Sequence, residues 1–143
     1  MNSAYIVEES ETGLYNYISS SIADTSLHYY KGMNTEDKQT PSIIIQGVNA
    51  DEDFVGSGIW HVGIRTYFIY PSTDSTGSLE TRNGKYHTFV DKLYSGSMSP
   101  ELITGSVSHL FIYDIYSKGI SNSIQQDHWI SENELEFVAV YKA

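Results

Sequence analysis

Hydrophobic and polar positions alternate most regularly in "GIWHVGIRTYFIYP", residues 58–71, where Ile59 to Tyr70 run without a helix breaker other than Gly63. Period two predicts a strand with Trp60, Val62, Ile64, Thr66, Phe68 and Tyr70 on one side, and Ile59, His61, Gly63, Arg65, Tyr67 and Ile69 on the other. The first side reads as core. The second mixes aliphatic, aromatic and ionisable groups, which suits neither a dry core nor a solvated face. It predicts a contact surface, in part against another copy of the chain. At about 3.3 Å per residue such a strand spans roughly 40 Å, enough to project beyond a domain of this size.

Before this strand, "SETGLYNYISSSIADTS" places Leu14, Ile18 and Ile22 at i+4 steps, with Ser10 or Thr12 as N-cap. The spacing predicts a first helix over about 12–24, leaving residues 1–10 as a flexible or interface arm. "SLHYYKGMN" reads as a short aromatic strand ended by Gly32, "TEDKQTP" as a polar loop, and "PSIIIQGVN" as a strand against the core. "ADEDFVGSG" reads as a hairpin connection or extended tongue in which Phe54 is the odd apolar member.

After it, "PSTDSTGSLETRNG", residues 71–84, reads as a long polar loop. "KYHTFVDKLYSG" puts Tyr86, Phe89, Val90 and Leu93 on one face of a second helix that stops at Gly96, and Ser99 and Pro100 open a short helical turn. "HLFIYDIYSKG" and "NELEFVAVYKA" are strands joined by the polar loop "GISNSIQQDHWISEN". The order predicts one α+β domain over 1–143, a mainly antiparallel twisted sheet with an N-terminal helix and a second helix packed on one face.

Composition narrows the function classes. The chain has no cysteine, which removes disulfides, thiolate nucleophiles and Cys-ligated zinc. No basic segment followed by an apolar core opens it, so no secretory signal is expected, and its apolar runs fall short of the roughly 20 residues of a membrane helix. The net charge is −10; residues 1–60 carry nine acids against two lysines. Phosphate neutralisation needs Lys and Arg, so gripping nucleic acid is disfavoured; the largest basic grouping is the spaced pair Arg82 and Lys85.

Patterns for catalysis and metal binding each fail at an essential position. "DEDFVG" offers Asp51, Asp53 and Gly56 at calcium-loop positions, but Val55 and Val62 stand where oxygen ligands belong, and a solvated acidic loop is the simpler reading. "GSGIWH" has two glycines of a dinucleotide fingerprint but runs into a strand instead of a helix. There is no Gly-x-Ser-x-Gly elbow, and the five histidines lack the spacing that brings two ligands to one metal. His87 and Asp91, at i and i+4, read as a surface hydrogen bond before a catalytic dyad. No enzyme activity, cofactor or metal is expected.

The order of patterns carries a resemblance. An amphipathic first helix, "HYYKGM", the proline-led "PSIIIQG", the long strand with Trp near its start, the helix "YHTFVDKL", a small helical turn and a final "LEFVAVY" follow one another. This resembles the tail terminator or tail completion proteins of tailed bacteriophages, from about residue 10 to 143. The resemblance implies a non-catalytic virion protein, assembled in the host cytoplasm, that forms a closed ring, a hexamer, at the tail–neck junction. Its partners would be copies of itself, the tail tube protein and head-closure or neck proteins, with no membrane and with DNA passing through an acidic lumen without specific binding. Contacts would fall on Asp51 to Gly58 and Pro71 to Asn83. The expected interface residues are Asp51, Glu52, Asp53 and Phe54, then His61, Arg65, Tyr67 and Ile69, and the basic Arg82 and Lys85. Alternatives are a head-closure or other neck adaptor, and a cone-shaped ligand-binding or isomerase-like domain drawing on His109, Asp114 and Tyr116. A regular strand sends His109 and Asp114 to opposite faces, which counts against that last reading.

Overall fold

The computed structural model describes residues 3–32, 38–71, 78–94, 103, 107 and 109–141. Helix α1 (Ser3–Ile22) is followed by strands β1 (His28–Lys31), β2 (Ser42–Glu52) and β3 (Ile59–Pro71), helix α2 (Ser78–Tyr94), and strands β4 (Leu110–Gln125) and β5 (His128–Tyr141). The sheet order is β1-β2-β3-β5-β4, antiparallel except for the β1–β2 pair. The α+β class expected from the pattern is the one observed.

One sheet face carries both helices. Val62, Ile64 and Phe68 of β3 join Ile43 and Ile45 of β2, Leu135 and Phe137 of β5, and Leu110 and Ile112 of β4. Ile6, Leu14, Tyr17 and Ile18 of α1 and Phe89 and Leu93 of α2 close over them. Gly47 marks where α1 crosses β2: a Cβ there would collide with the Val7 side chain and sit 3.1 Å from the Val7 carbonyl. Glu11 reaches down at the same crossing and accepts the Gly47 N–H at 2.8 Å, satisfying a backbone donor on the strand edge.

Four expectations need correction. Helix α1 starts at Ser3, so residues 3–10 are its first turns and not a flexible arm. Ile6 and Ser10 are fully buried, and Ser10, read as a cap, holds an interior position whose polarity hid the helical period. Residues 78–84 belong to α2 and not to a loop; their polar character reflects a solvent-facing first turn. Residues 119–133 form the turn end of a hairpin, the last residues of β4 and the first of β5. Gln126 and Asp127, with φ of 48° and 61°, make its two-residue turn without the Asn-Gly signal that such turns favour. The loop segment 72–77, the stop at Gly96 and the opening of the turn at Ser99 and Pro100 lie outside the described residues, though Ile103 is helical and packs beside Gly13.

Strand β4 has register breaks between Ile112 and Asp114 and between Ser117 and Gly119, leaving Tyr113 and Lys118 as bulged residues. The first break moves Asp114 onto the same open face as Phe111, whereas His109 precedes the strand and bonds Glu9 of α1, so the two do not share a face, though for a different reason than odd spacing.

Candidate functional site

The face of the sheet opposite the helices carries the odd-numbered side chains of β3, and no described element packs over it. Registers bring Asp51 beside His61, Gln46 and Glu134 on either side of Arg65, Glu132 beside Tyr67, and Ile130 beside Ile69. The predicted residues His61, Arg65, Tyr67 and Ile69 do share this surface, with Asp51 and Asp53 at one end.

At its charged end, Arg65 Nε lies 3.1 Å from Glu134 Oε1 and 3.3 Å from Glu132 Oε1. The bond to Glu134 and a second to the Tyr67 hydroxyl raise the guanidinium pKa further above its ordinary value. Burial pushes the Tyr67 phenol up, and the Glu132 charge adds to the rise. His61 stands 3.4 Å from Asp53 and 3.5 Å from Glu136, and Lys118 lies 3.7 Å from Glu136 on its other side. A cleft of about 210 Å³ between these groups is lined by Asn49, Asp51, His61, Arg65, Lys118 and Glu134 among others. Gly63 lies under the Asn49 side chain, which a Cβ would strike. Carboxylates outnumber cations here, with Glu132, Glu134 and Glu136 at successive outward positions of β5.

The other end is more apolar. Ile44, Tyr67, Ile69 and Ile130 line a shallow cleft of about 300 Å³ whose polar wall is Gln46, Ser121, Ser123, Gln125 and Glu132. Sequence reasoning missed the β4 and β5 part of this wall because it read residues 119–133 as a loop. The signal available was the alternation of Ile120, Asn122 and Ile124 against Ser121 and Ser123.

The tongue between β2 and β3 presents Phe54 and Val55, 66% and 98% exposed. Glu52, expected at an interface, turns instead toward its own loop, where its carboxylate accepts the Gly56 N–H at 3.2 Å and the Gly58 N–H at 3.0 Å. Gly56 and Gly58 have φ of 83° and 72°, a conformation that L side chains resist.

Arg82 and Lys85 lie on α2 and are not brought to the open face. Arg82 lies over the Trp129 ring, 4.4 Å from its centroid. Lys85 is committed within the chain: its ammonium donates to Asp24 at 2.6 Å and to Ser26 at 2.5 Å, tying α2 to the turn before β1. These bonds, together with the Ser26 hydroxyl and N–H, lower the Asp24 carboxyl to about 2.

His109, Asp114 and Tyr116 are likewise not gathered into one site. His109 bonds Tyr5 and Glu9 of α1, at 2.5 and 2.9 Å, whereas Asp114 accepts from the Tyr116 hydroxyl at 2.6 Å on β4. That bond raises the Tyr116 pKa. Among the described residues no group of three or more His, Cys, Asp or Glu is arranged to hold a metal ion. No described helix is long and apolar enough to cross a membrane. The chain matches no protein-family model, and no curated protein matches it.

Proposed function

We propose that the chain is a structural virion protein of a tailed bacteriophage, a tail terminator or tail completion subunit that forms a ring over the tail tube and joins it to the head–neck region. The observation that carries this reading is the distribution of apolar surface. Phe54 and Val55 stand out on a protruding tongue, and Phe111, Tyr113, Tyr116, Ile120 and Ile124 are exposed along the edge strand β4. A lone soluble domain seldom displays so much apolar surface at its extremities, and partner contact is the ordinary explanation. The acidic open face suits a surface that DNA slides past, since it offers few of the cations that phosphate contacts require. The same surface would equally serve a head-closure or other neck adaptor.

Mass measurement and negative-stain imaging over a concentration series, alone and with isolated tail tubes, test the reading. Rings, or binding confined to one tube end, are expected. A compact monomer that ignores tubes overturns it. Phe54→Ser is expected to abolish assembly while changing stability by less than about 0.5 kcal/mol, as at other exposed positions. A large fall in melting temperature would instead assign Phe54 to the fold.

A further inference from the structure

The sheet ends in two unlike surfaces. Ile59 pairs with Val140 at one end of β3 and Pro71 pairs with His128 at the other, so the tongue and the β4–β5 turn lie at opposite ends. The tongue is a preformed knob. Ser57 N–H donates to the Phe54 carbonyl at 2.9 Å, Asp53 N–H to the Ile59 carbonyl at 2.8 Å, and Glu52 holds both glycine amides. Seating it on a partner therefore costs little further ordering.

The far end carries an apolar patch on the helix side, here termed the notch. Ile124 pairs directly with Trp129, which puts both side chains on one face, and Arg82 covers the indole. Leu79 stands one turn before Arg82 on the same side of α2. Ile124 is 71% and Leu79 53% exposed. Charge is complementary: Asp51 and Asp53 flank the knob, Asp53 with only His61 nearby at 3.4 Å, while Arg82 donates to the neutral Asn83 Oδ1 and pairs with no carboxylate among the described residues.

We infer that the tongue of one copy of the chain docks in the notch of the next, with Phe54 and Val55 against Leu79, Ile124 and Trp129, and Asp53 facing Arg82. The inference rests on the ring reading and names the two surfaces that reading leaves open. Because knob and notch differ, the contact is head-to-tail and propagates around a ring instead of stopping at a dimer. The open sheet face, first expected to be one half of the self-contact, is then left to the tube, the neck or the lumen.

The chain's lack of cysteine gives a clean test. Val55→Cys and Ile124→Cys are made in separate copies, both at exposed positions, and checked for an unchanged melting temperature. Mixed and oxidised under assembling conditions, they are expected to give a disulfide-linked heterodimer that neither variant forms alone. Adding Arg82→Glu to the Ile124→Cys copy is expected to lower the yield by about tenfold or more, as for a lost interface charge pair. Adding Asp53→Lys to the Val55→Cys copy is expected to restore it. Rings that form without the 55–124 cross-link overturn the docking and leave the ring reading standing. No assembly, alone or on isolated tubes, overturns both.

Discussion

Strand β3 lives in two environments a few ångströms apart. Toward the helices, Val62, Ile64, Thr66 and Phe68 are at most 1% exposed. Away from them, His61 and Arg65 keep 36% and 43% of their side-chain surface, held by Asp53, Glu132, Glu134 and Glu136. The inner face is specified by volume, because a close-packed core penalises any gap. The outer face is specified by charge, and exposed ion pairs contribute only about 0–1 kcal/mol each. The inner face therefore sets stability, and the outer face is free to serve recognition.

The largest effect should come from hollowing the inner face. Ile64→Ala is expected to destabilise by about 2–5 kcal/mol in urea unfolding, and a loss below about 0.5 kcal/mol would invert the assignment of the two faces. Gly47→Ala, which forces a methyl into Val7 where α1 crosses β2, is expected to cost about 1–3 kcal/mol. Asp24→Asn comes next. Its carboxyl is lowered to about 2 from 3.8 and is partly solvated, so the Lys85 bond should stabilise by about 1 kcal/mol at neutral pH. A depressed carboxyl contributes fully above its unfolded value and loses that contribution as pH falls through the folded one. The gap between wild type and variant should thus close between about pH 4 and pH 2; a gap that persists at low pH would mean packing and not charge. Smallest is Arg65→Ala on the outer face. It is expected to cost under about 1 kcal/mol and less at high salt, and a larger, salt-independent loss would make the charged ladder part of the core.

These two faces also explain what could be read before the structure. The alternation from Trp60 to Phe68 was legible because burial on one side imposes a strict period, and the three isoleucines of β2 and the Tyr86, Phe89 and Leu93 stripe were legible for the same reason. Ser10 and the 79–84 segment were not. One is a polar group in an interior position, and the other is a helix turn whose anchor, Arg82 over Trp129, depends on a strand far away in the chain. The distal half of β4 misled similarly: its residues are exposed, so the alternation of Ile120 and Ile124 with Ser121 and Ser123 is interrupted by the polar Asn122, and its partner strand supplies the order. At the candidate site, the alternation along β3 placed His61 and Arg65 on the face away from the core, where they lie, and the acidic loop was read as exposing Phe54, which it does. Neither reading could tell that Glu52 serves its own loop or that Lys85 is occupied by Asp24, since both facts depend on tertiary approach.

The two bulges of β4 have a consequence for solution behaviour. They divide the sheet's outer edge into ladders at 110–112, 114–117 and 119–125. A foreign strand adding to that edge would have to reproduce both register breaks, with the Lys118 ammonium at the second. Open-ended cross-β growth, the common fate of long apolar edges, is thereby interrupted. Phe111, Tyr116 and Ile124 are thus exposed on an edge whose register breaks make it a poor template for a foreign strand.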